Sequence, residues 1–221
     1  RASRRLTNAT TANEVANAWQ MAQWFTLTPE DSFFVGLPLF HVNAPMATGL
    51  APFSGGAGVV LATPQGYRNP DVLANFWPLV ERYRVSFFMA VPTVYTELLG
   101  QDSESYDLSS LRFAVCGAAP MSVEVINRFQ EKTGLKIIEG YGCTEGTAAS
   151  CINPTAGERK VGSIGIRLPY QQMKVVEVGE DGRAVRDCGP EEVGHIVIKG
   201  PEVLPGYKQT EKNEGIWAED G

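Results

Sequence analysis

Residues 137–146 read Ile-Ile-Glu-Gly-Tyr-Gly-Cys-Thr-Glu-Gly, and an apolar run from Leu135 to Ile138 leads into them. An apolar run of this length predicts a short buried strand. The glycines that follow predict that this strand ends and opens a loop, because glycine accepts positive φ and lets a ligand approach main-chain N–H groups. Open α/β sheets bind their ligands at the carboxyl ends of their strands. The stretch therefore predicts both an α/β fold and the place of a ligand site.

The side chains of this loop suit a nucleotide. Tyr141 offers a flat aromatic face, Thr144 a hydroxyl group and Glu145 a hard oxygen ligand. These groups are appropriate for an aromatic ring, a phosphate and a Mg²⁺ ion, respectively.

The glycines suggest two other interpretations. A purely structural tight turn is consistent with them, since glycine-rich strand ends are common. A dinucleotide fingerprint is suggested by the spacing of Gly140, Gly142 and Gly146, but it requires a helix that opens at the third glycine and an acidic residue about 20 positions on. Asn153-Pro154 interrupts the chain before such a unit is complete. The dinucleotide interpretation is therefore excluded, and the tight turn stays open from the residues alone.

Apolar runs and helical patterns alternate along the chain up to about residue 155. The runs that predict strands are 33–37, 58–62, 86–90 and 111–116. The stretches that predict helices are 14–25, 43–51, 70–84, 94–99 and 122–132. This alternation at short spacing predicts an α/β fold with a layered sheet of parallel strands.

Several details of these elements are specific expectations. Helix 14–25 is expected to begin at an Asn13 N-cap and to bury one apolar face. That face consists of Val15, Ala18, Trp19, Ala22 and Phe25. Pro78 lies inside the stretch 70–84 and is expected to bend or shorten that helix. Ser122 and Gly134 are expected to begin and end the helix between them.

After Asn153-Pro154 the pattern changes to short alternating runs at 173–178 and 193–199, with glycine-rich turn sequences between them. Such runs predict strands that are half-buried. The chain is therefore predicted to hold an α/β subdomain at 1–155 and a smaller β-rich subdomain at 156–221.

Composition excludes several classes of protein. With 43% hydrophobic and 20% charged residues, the 221-residue chain is typical of a globular domain with a substantial core. The formal net charge of −6 provides no basic field to hold nucleic acid. The basic cluster Arg1, Arg4 and Arg5 is interpreted as a solvated end. Prolines interrupt the longest apolar region, 33–62, so that no transmembrane segment is expected.

The cysteine and histidine contents exclude further kinds of site. Four cysteines without a C-x-x-C spacing do not form a disulfide framework or a zinc site, and they favour a reducing, cytoplasmic location. Two histidines are too few for a histidine-rich metal site. A nucleophilic Cys143 or Cys116 is disfavoured, because a thiolate needs a histidine or a positive environment, whereas Glu145 lies beside Cys143.

Together with its surroundings, the segment from Tyr141 to Glu145 resembles the tyrosine-glycine-x-threonine-glutamate signature of the adenylate-forming superfamily of acyl-CoA synthetases and luciferases. The turn 117–120, Gly-Ala-Ala-Pro, resembles the adenine-binding loop of this superfamily. The segment 38–41, Pro-Leu-Phe-His, is similar to its acyl-pocket motif. The stretch 194–207 resembles its glycine-glutamate-isoleucine to glycine-tyrosine segment, with His195 in place of the usual glutamate.

The resemblance implies a two-step reaction. A carboxylate attacks the α-phosphate of ATP to give an acyl-adenylate and pyrophosphate, and the thiol of CoA then displaces AMP. It assigns catalysis to Thr144, Glu145 and His41, with Glu145 as the Mg²⁺ ligand. The implied ATP/AMP-binding residues are Gly117, Ala118, Ala119, Pro120, Glu139, Gly140, Tyr141, Gly142 and Thr144. The implied acyl-pocket residues are His41, Thr93, Ala118, Gly142 and Cys143.

The substrates implied are a small-molecule carboxylic acid, ATP and CoA. Fatty acids are the first choice for the acid, because His41 is followed by Val42, Ala44, Met46 and Ala47 rather than by charged residues. Aryl acids fit almost as well. The alternative from another class is a nucleotide-binding module or pseudoenzyme that lacks the phosphate loop.

Three parts that members of this superfamily carry have no counterpart in these 221 residues. They are a lysine-bearing glycine-rich phosphate loop, a threonine-glycine-aspartate motif for the ribose, and a small C-terminal domain with a catalytic lysine. We therefore expect the chain to be part of a larger enzyme, inactive by itself but able to bind AMP weakly.

Overall fold

A seven-stranded sheet forms the centre of the chain in the computed structural model, which describes residues 7–180 and 182–217. The strand order is β2-β1-β3-β4-β5-β6-β7, in which the first five strands are parallel and the last two pair antiparallel. These strands are β1 Ser32–Val35, β2 Gly58–Leu61, β3 Phe87–Ala90, β4 Phe113–Cys116, β5 Ile137–Tyr141, β6 Cys151–Ile152 and β7 Ile166–Arg167.

Helices cover both faces of this sheet. The α-helices are α1 Thr11–Trp24, α2 Asn43–Pro45, α3 Ala51–Ser54, α4 Pro70–Ala74, α5 Phe76–Tyr83, α6 Pro92–Leu99 and α7 Val123–Thr133. A π-helical turn, Met46–Leu50, joins α2 to α3. Short 3₁₀ turns lie at Gly66–Arg68, Thr144–Gly146 and Thr210–Asn213.

A second sheet of three antiparallel strands follows, in the order β10-β8-β9. Its strands are β8 Gln172–Val178, β9 Ala184–Asp187 and β10 His195–Lys199. The predicted fold class, α/β followed by a smaller β-rich part, is confirmed. The strand β9 was not predicted, because its exposed sequence lacks an apolar alternation. The last strand of the large sheet ends at Arg167, and the first strand of the small sheet begins at Gln172. The predicted boundary between two subdomains at residue 155 stays a prediction.

The two faces of the large sheet bury separate apolar clusters. Beneath α5, α6 and α7 the fully buried aromatic side chains include Phe76, Trp77, Tyr95 and Phe129. On the α1 and α3 side they include Phe25, Phe33 and Phe87, beside which Phe113 is also buried. Each such side chain contributes about 1.5–3 kcal/mol by leaving water. The carboxyl ends of β4 and β5 therefore extend from a well-packed layer.

Helix α1 buries only part of the predicted face, on which Ala18, Ala22 and Phe25 are buried as expected. Val15 and Trp19 are 59% and 40% exposed, whereas Asn13, Asn17 and Gln20 are buried. The expected burial of Val15 and Trp19 was wrong, because amide side chains that find hydrogen-bond partners can take the place of apolar ones in a core. These partners belong to the functional site and are described below.

Caps define the ends of α1 and α7. Thr10, not Asn13, is the N-cap of α1; its hydroxyl accepts the Asn13 amide hydrogen at 3.2 Å, and Asn13 is the third helical residue of a capping box. Ser122 and Gly134 bound α7 as predicted, with the Ser122 hydroxyl accepting from the Val125 amide at 3.2 Å.

Two other elements differ from the prediction in extent or burial. The helix expected at 70–84 is divided at Asn75, and Pro78 is the third residue of its second part. Proline cannot donate to the carbonyl four residues earlier, at Ala74, so the continuous helix is interrupted there. Strand β2 is an edge strand with exposed ends rather than a buried one.

Within residues 7–180 and 182–217, no helix is long and apolar enough to cross a membrane. The basic cluster Arg1, Arg4 and Arg5 and the last four residues of the chain lie outside the described residues.

Candidate functional site

Strands β4 and β5 are parallel neighbours, so the loops at their carboxyl ends lie side by side. A Cβ added to Gly117, which follows β4, would lie 3.5 Å from the carbonyl oxygen of Gly140 in β5. Ala118 has a positive φ of 69°, a conformation uncommon for a residue with a side chain. The two predicted loops thus meet at one edge of the sheet.

Gly142 lets the loop after β5 turn back on itself. A Cβ at this position would lie 1.6 Å from the Ala148 carbonyl oxygen, which no side chain can tolerate. The returning chain pairs with β5 through a hydrogen bond of 2.9 Å from the Ser150 amide to the Tyr141 carbonyl. The glycine is therefore required by close backbone approach, as the sequence suggested.

The residues after Gly142 form a short 3₁₀ turn that carries the hydroxyl of Thr144 and the carboxylate of Glu145. The turn ends at Thr147, whose φ of 64° and ψ of −63° lie outside the usual regions. The Leu204 amide donates to the Glu145 carbonyl at 2.9 Å, and the Thr147 hydroxyl donates to the Glu202 carbonyl at 2.6 Å. The segment after β10 therefore contributes to the shape of the turn.

A cavity of about 290 Å³ lies at this edge of the sheet. Its lining combines the loop residues with apolar side chains from α2 to the π-helical turn, β3, β4 and β6. The predicted site residues in the lining are His41, Gly117, Ala118, Gly140, Tyr141, Gly142, Cys143, Thr144 and Glu145.

A second, larger cavity of about 830 Å³ opens on the other side of the loop, against strands β8 and β10. Tyr141, Cys143 and Glu145 line both cavities. Tyr141 and Glu145, which are both partly buried, thus line the same open cleft.

Four predicted residues do not line the 290 Å³ cavity: Thr93, Ala119, Pro120 and Glu139. Thr93 is exposed in the first turn of α6, and Ala119 and Pro120 are exposed beyond Ala118. The carboxylate of Glu139 accepts the Gly162 amide hydrogen at 2.7 Å and so supports the chain before β7. Binding roles for these four residues stay predictions.

One ring nitrogen of His41 is hydrogen-bonded within its own loop. Its Nδ1 accepts the Asn43 amide hydrogen at 3.3 Å, which leaves Nε2 available to a ligand. His41 itself is exposed at the mouth of the cavity.

Burial favours the neutral forms of the Tyr141 hydroxyl and the Cys143 thiol, because it raises the pKa of each. Partial burial raises the pKa of the Tyr141 hydroxyl above its ordinary value. Burial also raises the pKa of the Cys143 thiol, and the neighbouring Glu145 carboxylate raises it further. The pKa values of the Cys116 and Cys151 thiols rise to about 12 and about 11, again through burial. These thiols are protonated at neutral pH, which supports the argument against a cysteine nucleophile.

Sequence reasoning missed the polar face of α1 that lies behind the loop. Asn13, Asn17 and Gln20 are four and three residues apart, the spacing that places side chains on one helical face. The signal was therefore present in the sequence, as amides rather than apolar residues. The apolar wall of the cavity, which includes Met89 and Val115, was missed because β3 and β4 carry no residue of recognisable function.

Comparison with known proteins places these features in a family. The profile described as AMP-binding enzyme matches residues 6–208. A marinolic acid–CoA ligase of Pseudoalteromonas sp. (strain SANK 73390) is 44% identical over 185 residues, which are 84% of this chain and 28% of that protein. A long-chain-fatty-acid–CoA ligase of Bacillus subtilis (strain 168) is 31% identical over 219 residues, which are 95% of this chain and 36% of that protein.

Among solved structures, the crystal structure of ATP-bound MatB from Rhodopseudomonas palustris has a TM-score of 0.83 at 26% identity. The match covers 98% of this chain and 43% of that one. The chain spans 28% and 36% of the length of the two curated relatives.

Proposed function

This chain belongs to the family of AMP-binding enzymes, and we propose that it carries the adenylate-forming site of an ATP-dependent acyl-CoA ligase that acts on a fatty acid. The observation that carries the proposal is the placement of Tyr141 and Glu145. Both come from one loop and line the same cleft, beside the backbone of Gly117 and Ala118.

The first step joins the acid to the nucleotide. A carboxylate oxygen attacks the α-phosphorus of ATP, a new P–O bond forms, and pyrophosphate leaves with the electrons of the broken P–O bond. Because two anions react, the protein contributes positioning and charge stabilisation rather than a nucleophile. The Thr144 hydroxyl donates to an oxygen of the α-phosphate, and the Tyr141 ring stacks on the adenine.

His41 holds the carboxylate of the acid at the mouth of the cavity. With its Nδ1 occupied by the Asn43 amide, the ring directs an Nε2–H donor to the substrate. In the second step the thiol of CoA loses its proton to solvent and its sulfur attacks the acyl carbonyl carbon; the C–S bond of the thioester forms, and AMP leaves as the C–O bond breaks.

The residues present fit a magnesium ion. Glu145 provides a half-buried carboxylate on the cleft, and Mg²⁺ is commonly bound by one or two carboxylates together with substrate phosphates. The ion would neutralise phosphate charge, and Glu145 would hold it.

The walls of the cavity favour an acid with an uncharged chain. Ala47, Met89, Val115 and Ile152 line it, and Glu145 is the charged residue among the lining residues that the structure describes. A buried charge on the substrate chain would have no counter-ion there. These walls support a fatty acid as the first choice and an aryl acid as the second.

Exchange of labelled pyrophosphate into ATP tests the proposal in the full-length protein. Decanoate, hexadecanoate and benzoate are compared with a sample that lacks acid. We expect exchange that depends on a fatty acid, and thioester formation when CoA is added. The 221-residue chain by itself is expected to bind AMP without catalysing exchange. AMP binding by the full-length protein without exchange for any acid would instead favour a nucleotide-binding module.

A further inference from the structure

The turn that carries Thr144 and Glu145 has few hydrogen bonds of its own. Its backbone bonds run from the Gly146 amide to the Cys143 carbonyl at 3.2 Å, from the Thr147 amide to the Thr144 carbonyl at 3.1 Å and from the Ala148 amide to the Gly146 carbonyl at 2.8 Å. Thr147 has a rarely populated backbone conformation. Such a conformation costs about 1–3 kcal/mol and persists only where the surroundings impose it. The turn therefore depends on contacts from outside.

Asn17 supplies the first of these contacts from the polar face of α1. Its Nδ2 donates to the Ala149 carbonyl at 2.8 Å, and its Oδ1 accepts the Ala149 amide hydrogen at 3.1 Å. Asn17 has no exposed surface, so these two bonds are shielded from water. Ala149 itself lines the 290 Å³ cavity.

Gln20 extends this contact toward the segment after β10. Its Nε2 donates to the Glu202 carboxylate at 3.1 Å and to the Pro169 carbonyl at 2.8 Å. Its Oε1 accepts from Asn17 Nδ2 at 3.0 Å and from Gln171 Nε2 at 3.2 Å. Gln20 therefore makes four hydrogen bonds in the core.

The segment 201–204 completes the connection back to the turn. Asn13 Nδ2 donates to the carbonyl oxygens of Pro201 and Val203 at 2.8 and 3.0 Å. The same segment makes two hydrogen bonds to the turn. The Glu202 carbonyl accepts from the Thr147 hydroxyl, and the Leu204 amide donates to the Glu145 carbonyl. Helix α1 thus holds both the returning chain and the strand-end segment that support the turn.

From this arrangement we propose that Asn17 and Gln20 are positioning residues for the adenylation reaction. They act through residues 147–150 and 201–204 to hold the Thr144 hydroxyl and the Glu145 carboxylate in place, and neither lines the two cavities. The inference rests on the proposed function for its catalytic consequence, but the mechanical support of the turn can be measured independently.

The test compares Asn17→Ala and Gln20→Met with Gln23→Met in the full-length protein. Methionine has nearly the volume of glutamine and removes the hydrogen bonds. Gln23 lies on the same helix and is exposed, so Gln23→Met is a matched control. We expect the kcat of pyrophosphate exchange to fall about 10- to 100-fold in the first two variants, with a smaller change in the KM for the acid, since small displacements of reacting groups have effects of this size.

Hydrogen exchange followed by mass spectrometry supplies the readout that does not depend on activity. Peptides that cover residues 144–150 should exchange about tenfold faster in the two variants, while those from β3 and β4 should not change. The proposal would be overturned by a folded Gln20→Met variant that has the wild-type kcat and an unchanged rate of hydrogen exchange in residues 144–150.

Other outcomes are also decisive. If Asn17→Ala does not fold, the Gln20→Met variant alone tests the positioning role, because it keeps the volume of the core side chain. If the wild-type protein shows no pyrophosphate exchange, the proposed function fails, and the deuterium result at 144–150 still supports or refutes the positioning role. A uniform gain in deuterium uptake across the protein would indicate a general loss of stability and would overturn the specific role.

Discussion

The carbonyl oxygen of Glu145 accepts a hydrogen bond from the Leu204 amide at 2.9 Å. This bond connects the loop after β5, in the large sheet, with the segment after β10, in the small one. The carboxylate that we assign to Mg²⁺ therefore lies where the two sheets meet, between the two cavities. Changes in either sheet are expected to affect it, and the predictions below separate local from general effects.

Gly142→Ala should disable the loop. The new methyl group would meet the Ala148 carbonyl oxygen at 1.6 Å, and backbone cannot yield as a flexible side chain can. We expect a loss of stability near the upper end of the overpacking range, about 3 kcal/mol, and a loss of AMP binding. Thermal unfolding and calorimetric titration measure the two effects.

Gly58→Ala is the control for this change. A Cβ there would lie 3.9 Å from the Asp31 carbonyl oxygen, an ordinary contact. Gly58 lies in the edge strand β2, away from the site. Equal stability of both alanine variants would show that the close approach at Gly142 is not real.

Glu145→Gln should separate catalysis from folding. The amide has the shape of the carboxylate but not its charge, so Mg²⁺ would be held less well. We expect the rate of pyrophosphate exchange to fall about 100-fold, which corresponds to about 3 kcal/mol of charge stabilisation, and the loss should be partly reversed at high magnesium concentration. The unfolding temperature should remain close to that of the wild type. An undiminished rate would remove Glu145 from the reaction, and the exposed Glu97→Gln variant serves as control.

The sequence predicted the parts of the site that depend on chain-local features. The loop 140–146 was recognisable because glycines, an aromatic residue, a hydroxyl and a carboxylate follow an apolar strand directly. The residues of α1 that hold this loop were not recognisable in the same way. The contact between Asn17 and Ala149 joins distant parts of the chain, and nothing local to either residue specifies the other. From Pro78 the sequence predicted a bend or a shortening of the helix at 70–84 but not its division at Asn75, since proline does not by itself determine where a helix restarts.

Tyr141→Ala should weaken AMP binding, and Tyr141→Phe should not. Stacking of an aromatic ring on a base contributes about 1–3 kcal/mol, which corresponds to a change in Kd of about 10- to 100-fold. Phenylalanine keeps the ring, so its Kd should stay within about twofold of the wild-type value. Calorimetry with AMP measures both. Tyr83→Ala, at a surface position, is the control for removing a tyrosine side chain. If Tyr141→Phe lost as much AMP affinity as Tyr141→Ala, the binding would be assigned to the hydroxyl group and not to the ring.

Cys143 should behave as an unreactive thiol. Because burial and then Glu145 raise its pKa, the thiol stays protonated at pH values where an ordinary cysteine has begun to ionise. Alkylation by iodoacetamide, followed by peptide mass spectrometry across pH 7–10, should show a midpoint above the ordinary value of 9.0. The midpoint should move down in Glu145→Gln. Rapid alkylation of Cys143 at pH 7, together with loss of pyrophosphate exchange, would support a cysteine nucleophile instead.

Glu202 should make the stability of the protein depend on pH. It has no exposed surface, and burial raises the pKa of its carboxyl group above the ordinary value of 4.5. Among the described residues, its Oε1 has no hydrogen-bond partner, while Oε2 accepts from Gln20. The folded protein therefore binds the proton more tightly than the unfolded chain, and this group's contribution to stability is complete below pH 4.5 and is lost as pH rises through the higher native pKa.

Glu202→Gln removes this titration and keeps an acceptor for Gln20. The difference in unfolding temperature, variant minus wild type, should therefore increase from pH 4 to pH 8, because only the wild type loses stability through this group. Calorimetric scans across that pH range measure the difference in unfolding temperature. The contributions of the other titrating groups are the same in both proteins and cancel in this difference. Glu97→Gln, at an exposed position, should show a flat difference. If the difference for Glu202→Gln instead decreased with pH, the carboxylate would be stabilised in its ionised form, and the polar face of α1 would have to supply more positive charge than its amides carry.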